Sequence, residues 1–514
     1  MIRRLLTSRG PSLALALALA LGACLPLGFA PLALWWLPPL LFAGLLLLLC
    51  GPPTRERALR AFSFGFGAFV TGTYWLYISL HDFGGLAPPI AGGVVLLLIL
   101  IMALYHAVWI LLCSLVPGRA LAWQCLAVLP AGWTLIEWLR GWLFSGFPWL
   151  SVGYSQIDGP LAVWAPVLGV HGISLLVMLI AGAFVVLLAG ALRARLAGLL
   201  VLGLIAGGTV LLGEVQWTTP TGDPLQVALV QGGITQDRKW LAEELESTEA
   251  LYGKLTIGLK EPDLIIWPEA AIPALAHEVE DYLKAFAELA KARHQTIVLG
   301  ILTYEFDTNA FHNSLLMIGE GAGLYHKRHL VPFGEYFPVP DFIRNMLRMM
   351  NLPYQDIDAG AAHQLPLQMP GVALAPTICY EDVFGTELRS FLPAAGLLVN
   401  VSNDAWFGDS IAPHQHLQMA RFRALETGRY MLRSTNTGIT AIIDEQGRVR
   451  KRGKQFGVAI VSASAQPFSG ATPWVRFGNV PMLSACLLLL LLPVVCSRVL
   501  RIASDDQAIP RGVR

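Results

Sequence analysis

The chain has 514 residues, of which 55% are hydrophobic and only 14% are charged, against roughly a quarter in an average soluble domain. Its abundant apolar side chains exclude a disordered chain. The formal net charge of +1 provides no overall field for an anionic polymer, so no nucleic-acid partner is expected.

The acidic residues are distributed unevenly along the chain. Only four of the 35 precede residue 214, and they are Glu56, Asp82, Glu137 and Asp158. This distribution predicts a membrane domain over 1–213, a water-exposed domain over 214–479 and a closing membrane helix with a tail over 480–514.

A membrane-spanning helix needs about 20 apolar residues. Eight stretches are predicted as spans: 12–30, 33–50, 61–80, 89–116, 119–139, 165–192, 195–213 and 480–498. A second span follows the first almost at once, so the first is predicted to be a retained helix and not a cleaved signal peptide.

Arginine in short loops indicates the cytoplasmic side of a membrane. With eight spans, the loop arginines all fall on one side: Arg3, Arg4, Arg9, Arg55, Arg57, Arg60, Arg119, Arg193, Arg195, Arg498 and Arg501. Both termini are therefore expected in the cytoplasm, and the large polar domain is expected outside it.

Two charges lie at the outer end of the fifth predicted span, where charged side chains cost free energy. Glu137 and Arg140 are three residues apart and are able to form a structural ion pair. The alternative places Arg140 at a lipid phosphate. The sequence Gly146-Phe147-Pro148-Trp149 that follows is predicted to break the helix, either as a re-entrant turn or as an interfacial anchor.

From residue 225 onward, short apolar strands alternate with polar helices, which predicts a layered α/β sandwich. The predicted strands are 225–230, 264–267, 297–301, 315–318, 374–379, 396–400, 439–443 and 458–461. The predicted helices are 239–259, 278–293, 384–393 and 413–429.

Three reactive side chains lie at or just beyond predicted strands of this domain. Glu269 follows Trp267-Pro268, Lys327 lies in a loop rich in proline and glycine, and Cys379 ends a strand before a turn. A cysteine is nucleophilic as its thiolate, a carboxylate is able to take its proton, and an ammonium stabilises an oxyanion.

Each residue taken alone also has a structural interpretation. Glu269 would then cap a helix, Lys327 would be a solvated charge and Cys379 a buried strand residue. The other six cysteines lie in apolar runs, and the sequence contains no zinc, P-loop or dinucleotide motif, so neither a metal nor a cofactor is expected.

The three motifs together resemble the nitrilase superfamily. They are Trp267-Pro268-Glu269, the run from His326-Lys327 through Glu335, and Ile378-Cys379-Tyr380-Glu381-Asp382. With helices before and after this domain, the chain resembles the membrane-embedded branch of that superfamily, the apolipoprotein N-acyltransferases. That branch also matches Gly146–Trp149 and Val401–Phe407. The resemblance implies an αββα sandwich domain joined to about eight transmembrane helices.

The resemblance also implies a role for each residue of the site. Glu269 would be the general base and acid, Lys327 the oxyanion stabiliser and Cys379 the acylated nucleophile. Five further residues would support the site or bind substrate: Glu335, Glu381, Tyr380, Trp240 and Asn313. Trp240 would lie on a mobile arm, although simple packing is an alternative, and Asn313 has the alternative of capping a strand end.

The implied reaction is a two-step transfer through a thioester on Cys379. The acyl donor would be a membrane phospholipid, with phosphatidylethanolamine expected, and the acceptor would be the α-amine of a diacylglyceryl-cysteine on an apolipoprotein. The expected location is the inner membrane, with the catalytic domain in the periplasm. Two alternatives remain: a membrane-anchored amidase of the same superfamily, and a transporter or receptor without catalysis.

Overall fold

The computed structural model describes residues 11–118, 120–336 and 357–491. The chain divides into two compact units. The first contains the chain up to Tyr74, Pro88–Val215 and the chain from Phe477, and the second contains Trp75–Ala87 and Gln216–Arg476. The predictions for Arg3, Arg4, Arg9, Arg119, Arg498 and Arg501 lie outside the described residues.

The first unit is helical. Its principal helices are Pro11–Ala23, Leu37–Leu49, Thr54–Gly72, Pro88–Cys113, Leu129–Arg140, Ala165–Ala189, Leu192–Gly213 and Val480–Leu491. Within the described part of the chain, four helical stretches are long and apolar enough to cross a membrane: Pro11–Gly28, Pro88–Cys113, Pro160–Ala189 and Leu192–Gly213. A helix thus lies within or overlaps each predicted span. Leu37–Leu49, Thr54–Gly72 and Leu129–Arg140 are shorter or less apolar than a complete crossing requires, and Val480–Leu491 reaches the end of the described residues.

The third predicted span is wrong in its position. It was expected over 61–80, whereas the helix is Thr54–Gly72 and the segment Trp75–Ala87 belongs to the second unit. There the ring of Trp75 packs edge-on against Phe407 at 4.8 Å, and the hydroxyl of Ser79 donates to the main-chain oxygen of Trp406 at 2.7 Å. The apolar side chain of Trp75, which the predicted span included, therefore packs within the second unit.

The two charges of the fifth predicted span bind the turn that follows their helix. Glu137 accepts a hydrogen bond from the main-chain N–H of Val152 at 2.7 Å. Arg140 donates to the main-chain oxygens of Phe147 and Trp149, each at 2.6 Å. The helix ends at Arg140, as the Gly146–Trp149 motif predicted, and the buried charges stabilise the non-helical backbone beyond it.

The second unit is built on two large β-sheets. Its strands, numbered along the chain, are β1 (Thr219–Pro220), β2 (Leu225–Gln231), β3 (Leu264–Ile266), β4 (Ile272–Leu275), β5 (Thr296–Glu305), β6 (Ala310–Gly319), β7 (Gly323–His326), β8 (Leu367–Met369), β9 (Val372–Ile378), β10 (Leu397–Ser402), β11 (Met431–Thr435), β12 (Ala441–Ile443), β13 (Val449–Arg452), β14 (Ala459–Ala465) and β15 (Phe468–Ser469). The seven-stranded sheet has the order β14-β2-β3-β5-β6-β7, with β4 beside β5, and the six-stranded sheet has the order β13-β12-β11-β10-β9-β8.

Helices cover the outer faces of the two sheets. The main ones are Leu245–Ile257, Glu280–Ala292 and Ala412–Thr427, close to the predicted bounds. Alternate residues of β2 show the layering, because Val227 and Leu229 belong to the core between the sheets while Ala228 and Val230 belong to the core beneath the first two helices. The predicted αββα sandwich is confirmed.

Parallel pairing brings the reactive strand ends together within each sheet. β3 is parallel to β2 and β5, and β9 is parallel to β10, which is parallel to β11. Glu269 follows the carboxyl end of β3, Cys379 follows that of β9, and Ser402 ends β10. The carboxyl ends of parallel strands share one edge of a sheet, which is where ligands bind in such folds.

Candidate active site

Cys379 occupies a strained turn immediately after β9. Its φ is +53°, in the left-handed region, which costs a residue with a side chain roughly 1–2 kcal/mol. Two hydrogen bonds hold this conformation: the Ile378 N–H donates to Glu381 Oε2 at 2.7 Å, and the Asn400 amide donates to the Cys379 oxygen at 3.2 Å. Strain of this kind, fixed by its surroundings, is common at functional sites.

Glu269 has both carboxylate oxygens held by hydrogen bonds. Asn313 donates its amide to Oε1 and the main-chain N–H of Asn403 donates to Oε2, each at 2.7 Å. The backbone of Glu269 passes so close to Gly300 that a Cβ there would lie 2.6 Å from the Glu269 Cα. The position of the carboxylate is therefore fixed by its neighbours on several strands.

Lys327 lies directly after β7 and is buried together with two carboxylates. Its Nζ donates to Glu335 Oε1 at 2.7 Å and lies 3.5 Å from Glu269 Oε1. Burial alone would lower the pKa of Lys327, but the negative charges of Glu335, Glu269 and Cys379 raise it above its usual value. The lysine is thus a permanent cation next to the Glu269 carboxylate.

The thiol of Cys379 experiences the charges of the other two residues. Burial raises its pKa above the usual range, the carboxylate of Glu269 raises it further, and the ammonium of Lys327 acts in the opposite direction. The thiol is therefore protonated at rest and needs a base to become nucleophilic. The structure brings the three residues predicted from separate motifs into one electrostatically coupled site.

Comparison with known proteins agrees with this geometry. Residues 21–183 match the family model of the apolipoprotein N-acyltransferase N-terminal domain, and residues 226–467 match that of the carbon-nitrogen hydrolases. The apolipoprotein N-acyltransferase of Methylococcus capsulatus is 41% identical over 474 residues, covering 92% of this chain and 94% of that protein. The chain belongs to the apolipoprotein N-acyltransferase family. The predicted resemblance is confirmed.

Other relatives give a similar result. The apolipoprotein N-acyltransferase of Nitrosomonas europaea is 44% identical over 467 residues, covering 90% of this chain and 93% of that protein. A solved nitrilase-superfamily structure, Nit3 of Saccharomyces cerevisiae, has 17% identity and a TM-score of 0.36 over 49% of this chain and 93% of that chain. Family membership and the apolar helices together identify an integral membrane protein.

The predicted supporting residues Glu335, Glu381 and Asn313 lie around the site of this N-acyltransferase. Glu335 binds Lys327 and also accepts from the Val331 N–H at 2.8 Å. Glu381 accepts hydrogen bonds from the Tyr325 hydroxyl and from three main-chain N–H groups, those of Arg328, His329 and Ile378. These carboxylates connect the lysine loop to the nucleophile turn.

The two predicted aromatic residues have different surroundings. The ring of Tyr380 packs against Phe384 at 5.0 Å and against His329 at 6.0 Å. Trp240 is half exposed, and its ring lies 5.8 Å from the Nζ of Lys239. Its proposed place on a mobile arm remains a prediction.

Lys239 was not among the predicted site residues, although it immediately precedes Trp240 in the chain. The Nζ of Lys239 is buried and donates to the main-chain oxygen of Glu269 at 2.9 Å. Burial lowers the pKa of Lys239 to about 8, while the charges of Glu269 and Cys379 act to raise it. The site therefore contains a second lysine, which binds the main chain of Glu269.

The described residues were also compared with the requirements of a metal-binding site. No group of three or more histidine, cysteine, aspartate or glutamate side chains there is arranged to hold a metal ion. Glu269, Lys327 and Cys379 provide a base, a cation and a thiol.

Proposed function

We propose that this protein transfers an acyl chain from a membrane phospholipid to the N-terminal α-amine of diacylglyceryl-cysteine on apolipoproteins. The single observation that carries the assignment is the half-buried Cys379 in its strained turn, with its thiol under the charges of Glu269 and Lys327. In a member of this family, that arrangement supports acyl transfer through a covalent thioester.

In the first step, Glu269 takes the thiol proton and the sulfur of Cys379 attacks the donor's ester carbonyl. The main-chain N–H of Tyr380, next to the nucleophile, and the ammonium of Lys327 stabilise the oxyanion. The carbon–oxygen bond then breaks, and Glu269 returns the proton to the departing lysophospholipid. The thioester remains on Cys379.

In the second step, the acceptor's amine attacks the thioester carbonyl. Glu269 removes a proton from the attacking nitrogen, the carbon–sulfur bond breaks, and the thiol regains its proton. The product is an amide. Because one thiol serves both substrates, the donor must react and leave before the acceptor is acylated.

The choice of donor follows from where the reaction takes place. Both substrates are held in a bilayer, and a catalytic unit attached to apolar helices reaches their reacting groups there. We propose phosphatidylethanolamine as the donor.

Trp240, which is 50% exposed, and Phe333, which is 57% exposed, are candidates for an apolar cover over the thioester. The predicted partner of that cover, Phe337, lies outside the described residues.

The arginine pattern supports an orientation in the inner membrane. We propose cytoplasmic termini and a periplasmic catalytic domain over 214–479, between membrane segments over 1–213 and 480–514. Reporter fusions near residues 57, 118 and 194 are expected to indicate the cytoplasm, and fusions within 214–479 the periplasm. A cytoplasmic signal from the catalytic domain would contradict this orientation.

The decisive experiment is mass spectrometry of the purified enzyme after incubation with phospholipid alone. We expect one equivalent of lysophospholipid and an acyl group on Cys379 that hydroxylamine removes. After removal of free donor, an added diacylglyceryl-cysteine peptide should take the acyl chain. Cys379→Ala should form no acyl-enzyme, and substantial transfer by that variant would refute the assignment.

A further inference from the structure

Ser402 lies between the nucleophile and a buried charged cluster. It ends β10, is fully buried, and donates its hydroxyl hydrogen to Asp404 Oδ1 at 2.8 Å. Val401 pairs with Ile378 on the neighbouring parallel strand β9, so the residues that follow them, Ser402 and Cys379, lie side by side. A hydrogen bond from the Ser402 hydroxyl acts to lower the pKa of the Cys379 thiol. A serine hydroxyl has one proton to donate, so the carboxylate and a thiolate would compete for it.

Asp404 belongs to what we call the Asp404 cluster, which consists of Asp382, Asp404, His416 and Arg433. Arg433 donates to Asp404 Oδ2 at 2.9 Å and to Asp382 Oδ2 at 3.1 Å. His416 bridges the two carboxylates, with Nε2 2.9 Å from Asp382 Oδ1 and Nδ1 3.0 Å from Asp404 Oδ1. All four side chains are buried.

The cluster is electrically balanced when His416 is protonated. Burial and Arg433 act to lower the pKa of His416, but the carboxylates of Asp382 and Asp404 raise it to about 9. Two cations then face two carboxylates. Asp404 keeps charged donors on both oxygens even when Ser402 turns away, so the loss of the serine hydrogen bond leaves no unpaired buried charge.

The Asp404 cluster is also connected to Cys379 through Asn400. Arg433 donates to the side-chain oxygen of Asn400, whose amide donates to the main-chain oxygen of Cys379 at 3.2 Å. The cluster is therefore connected both to the backbone of the nucleophile and, through Ser402, to its sulfur. Without the positive charges of Arg433 and His416, the negative charge of Asp404 would disfavour the thiolate form of Cys379, because it raises the pKa of that thiol.

We propose that Ser402 is a hydrogen-bond donor to the catalytic sulfur. Its hydroxyl donates to Asp404 while Cys379 is a thiol, and rotates to the sulfur when Glu269 takes the thiol proton. The serine proton stays on its own oxygen throughout, and only the Cys379 proton is transferred. This inference rests on the proposed role of Cys379 as the nucleophile.

The test is the rate at which iodoacetamide alkylates Cys379 in the detergent-solubilised full chain, measured from pH 6 to 11. Mass spectrometry assigns the reaction to Cys379 and not to the other six cysteines. Charged groups that act on the sulfur are Glu269, Lys327, Asp404 and Lys239, and all remain in the variant, so the titration of Lys239 within this range is common to both proteins. Ser402→Ala should lower the rate about tenfold below its pH midpoint and move that midpoint upward, since hydrogen bonds to charged groups are the stronger ones.

Ser434→Ala is the matched control. Ser434 is also fully buried in the six-stranded sheet, but its hydroxyl donates to the main-chain oxygens of Val230 and Ile266. Its alkylation profile should equal that of the unmodified chain. Ser402→Thr keeps a hydroxyl and should keep the alkylation rate of Cys379 close to that of the unmodified chain. Ser402→Val has nearly the same side-chain volume as the threonine variant but no hydroxyl, and its alkylation rate should be as low as that of Ser402→Ala.

Equal rates and midpoints for Ser402→Ala and the unmodified chain would overturn the proposal. Equal profiles for the threonine and valine variants would also overturn it, and this comparison decides if the alanine variant fails to fold. Alkylation requires neither lipid substrate. A Ser402 effect on reactivity together with full transfer by Cys379→Ala would therefore refute the proposed function while leaving the hydrogen bond established.

Discussion

The main-chain N–H of Asn403 donates to Glu269 Oε2 at 2.7 Å. The residue that follows β10 of the six-stranded sheet thus holds the carboxylate that follows β3 of the seven-stranded sheet. The second oxygen is held by Asn313, on β6 of the seven-stranded sheet. The carboxylate thus connects the two sheets of the sandwich. Its position depends on how the sheets are stacked, and a change in that stacking would reach the proton-transfer step directly.

Removing the Asn313 amide should reduce catalysis without unfolding the chain. Asn313→Ala leaves Glu269 Oε1 without its short hydrogen bond, and a hydrogen bond to a charged group contributes about 1.5–3 kcal/mol. We expect kcat/KM for acyl transfer to fall roughly 10- to 100-fold. Gln446→Ala, which removes an amide at an exposed turn, is the control and should keep full activity. An Asn313→Ala variant as active as this control would contradict the role given to the amide.

The positive φ of Cys379 predicts an unusual order of stability. Cys379→Gly and Cys379→Ala should both be inactive, but glycine accepts the left-handed conformation and alanine does not. The glycine variant should therefore be the more stable by about 1 kcal/mol in thermal unfolding. The opposite order is expected where the backbone is helical, so Ala424→Gly, in helix Ala412–Thr427, should lower stability. A more stable Cys379→Ala would show that the turn is not strained.

Glu381 should be sensitive even to an isosteric change. Glu381→Gln places an NH2 group against N–H donors that now face a carboxylate, and burial leaves no water to separate them. We expect at least tenfold lower transfer activity and a lower melting temperature, at a cost of about 1–3 kcal/mol. Glu387→Gln is the comparison, because Glu387 also binds His329 but is less buried. Equal effects of the two substitutions would argue against a special role for Glu381.

The sequence predicted eight of the fifteen strands in the described residues, and the motifs that contain Glu269, Lys327 and Cys379, because apolar runs and short motifs are local features. It placed Lys327 in a loop, and the structure shows it directly after β7, a four-residue strand paired with β6. So short a strand has too few residues for a clear alternating pattern, and its existence depends on its neighbour.

The buried charges were beyond prediction for a different reason. Arg433 and His416 are types that are usually solvated, and nothing local signals that each will face two carboxylates inside the fold. These carboxylates are 12–51 residues away along the chain. Lys239 was not predicted either, because it follows Asp237 and Arg238, and such a charged run is typical of a solvent-exposed helix.

The depressed pKa of Lys239 predicts a pH dependence of stability that its replacement should remove. In the folded chain the pKa is about 8, below its usual value of 10.5, because burial penalises the charged form. Between these values the unfolded chain binds a proton that the folded chain has released, so this lysine makes the free energy of unfolding rise with pH. Below pH 8 its burial penalty is present in full. Lys239→Met should therefore lose this rise, amounting to a contribution on the order of 3 kcal/mol across the window.

Thermal unfolding of the detergent-solubilised chain at several values from pH 7 to 10 measures the difference between variant and unmodified protein at each pH, which cancels titrations common to both. Lys254→Met, at an exposed position of helix Leu245–Ile257, is the control and should give a constant difference. The hydrogen bond from Lys239 to Glu269 offsets part of the penalty at every pH, so the slope and not the absolute difference is diagnostic. A Lys239→Met difference that stayed constant from pH 7 to 10 would show that this buried lysine does not titrate there.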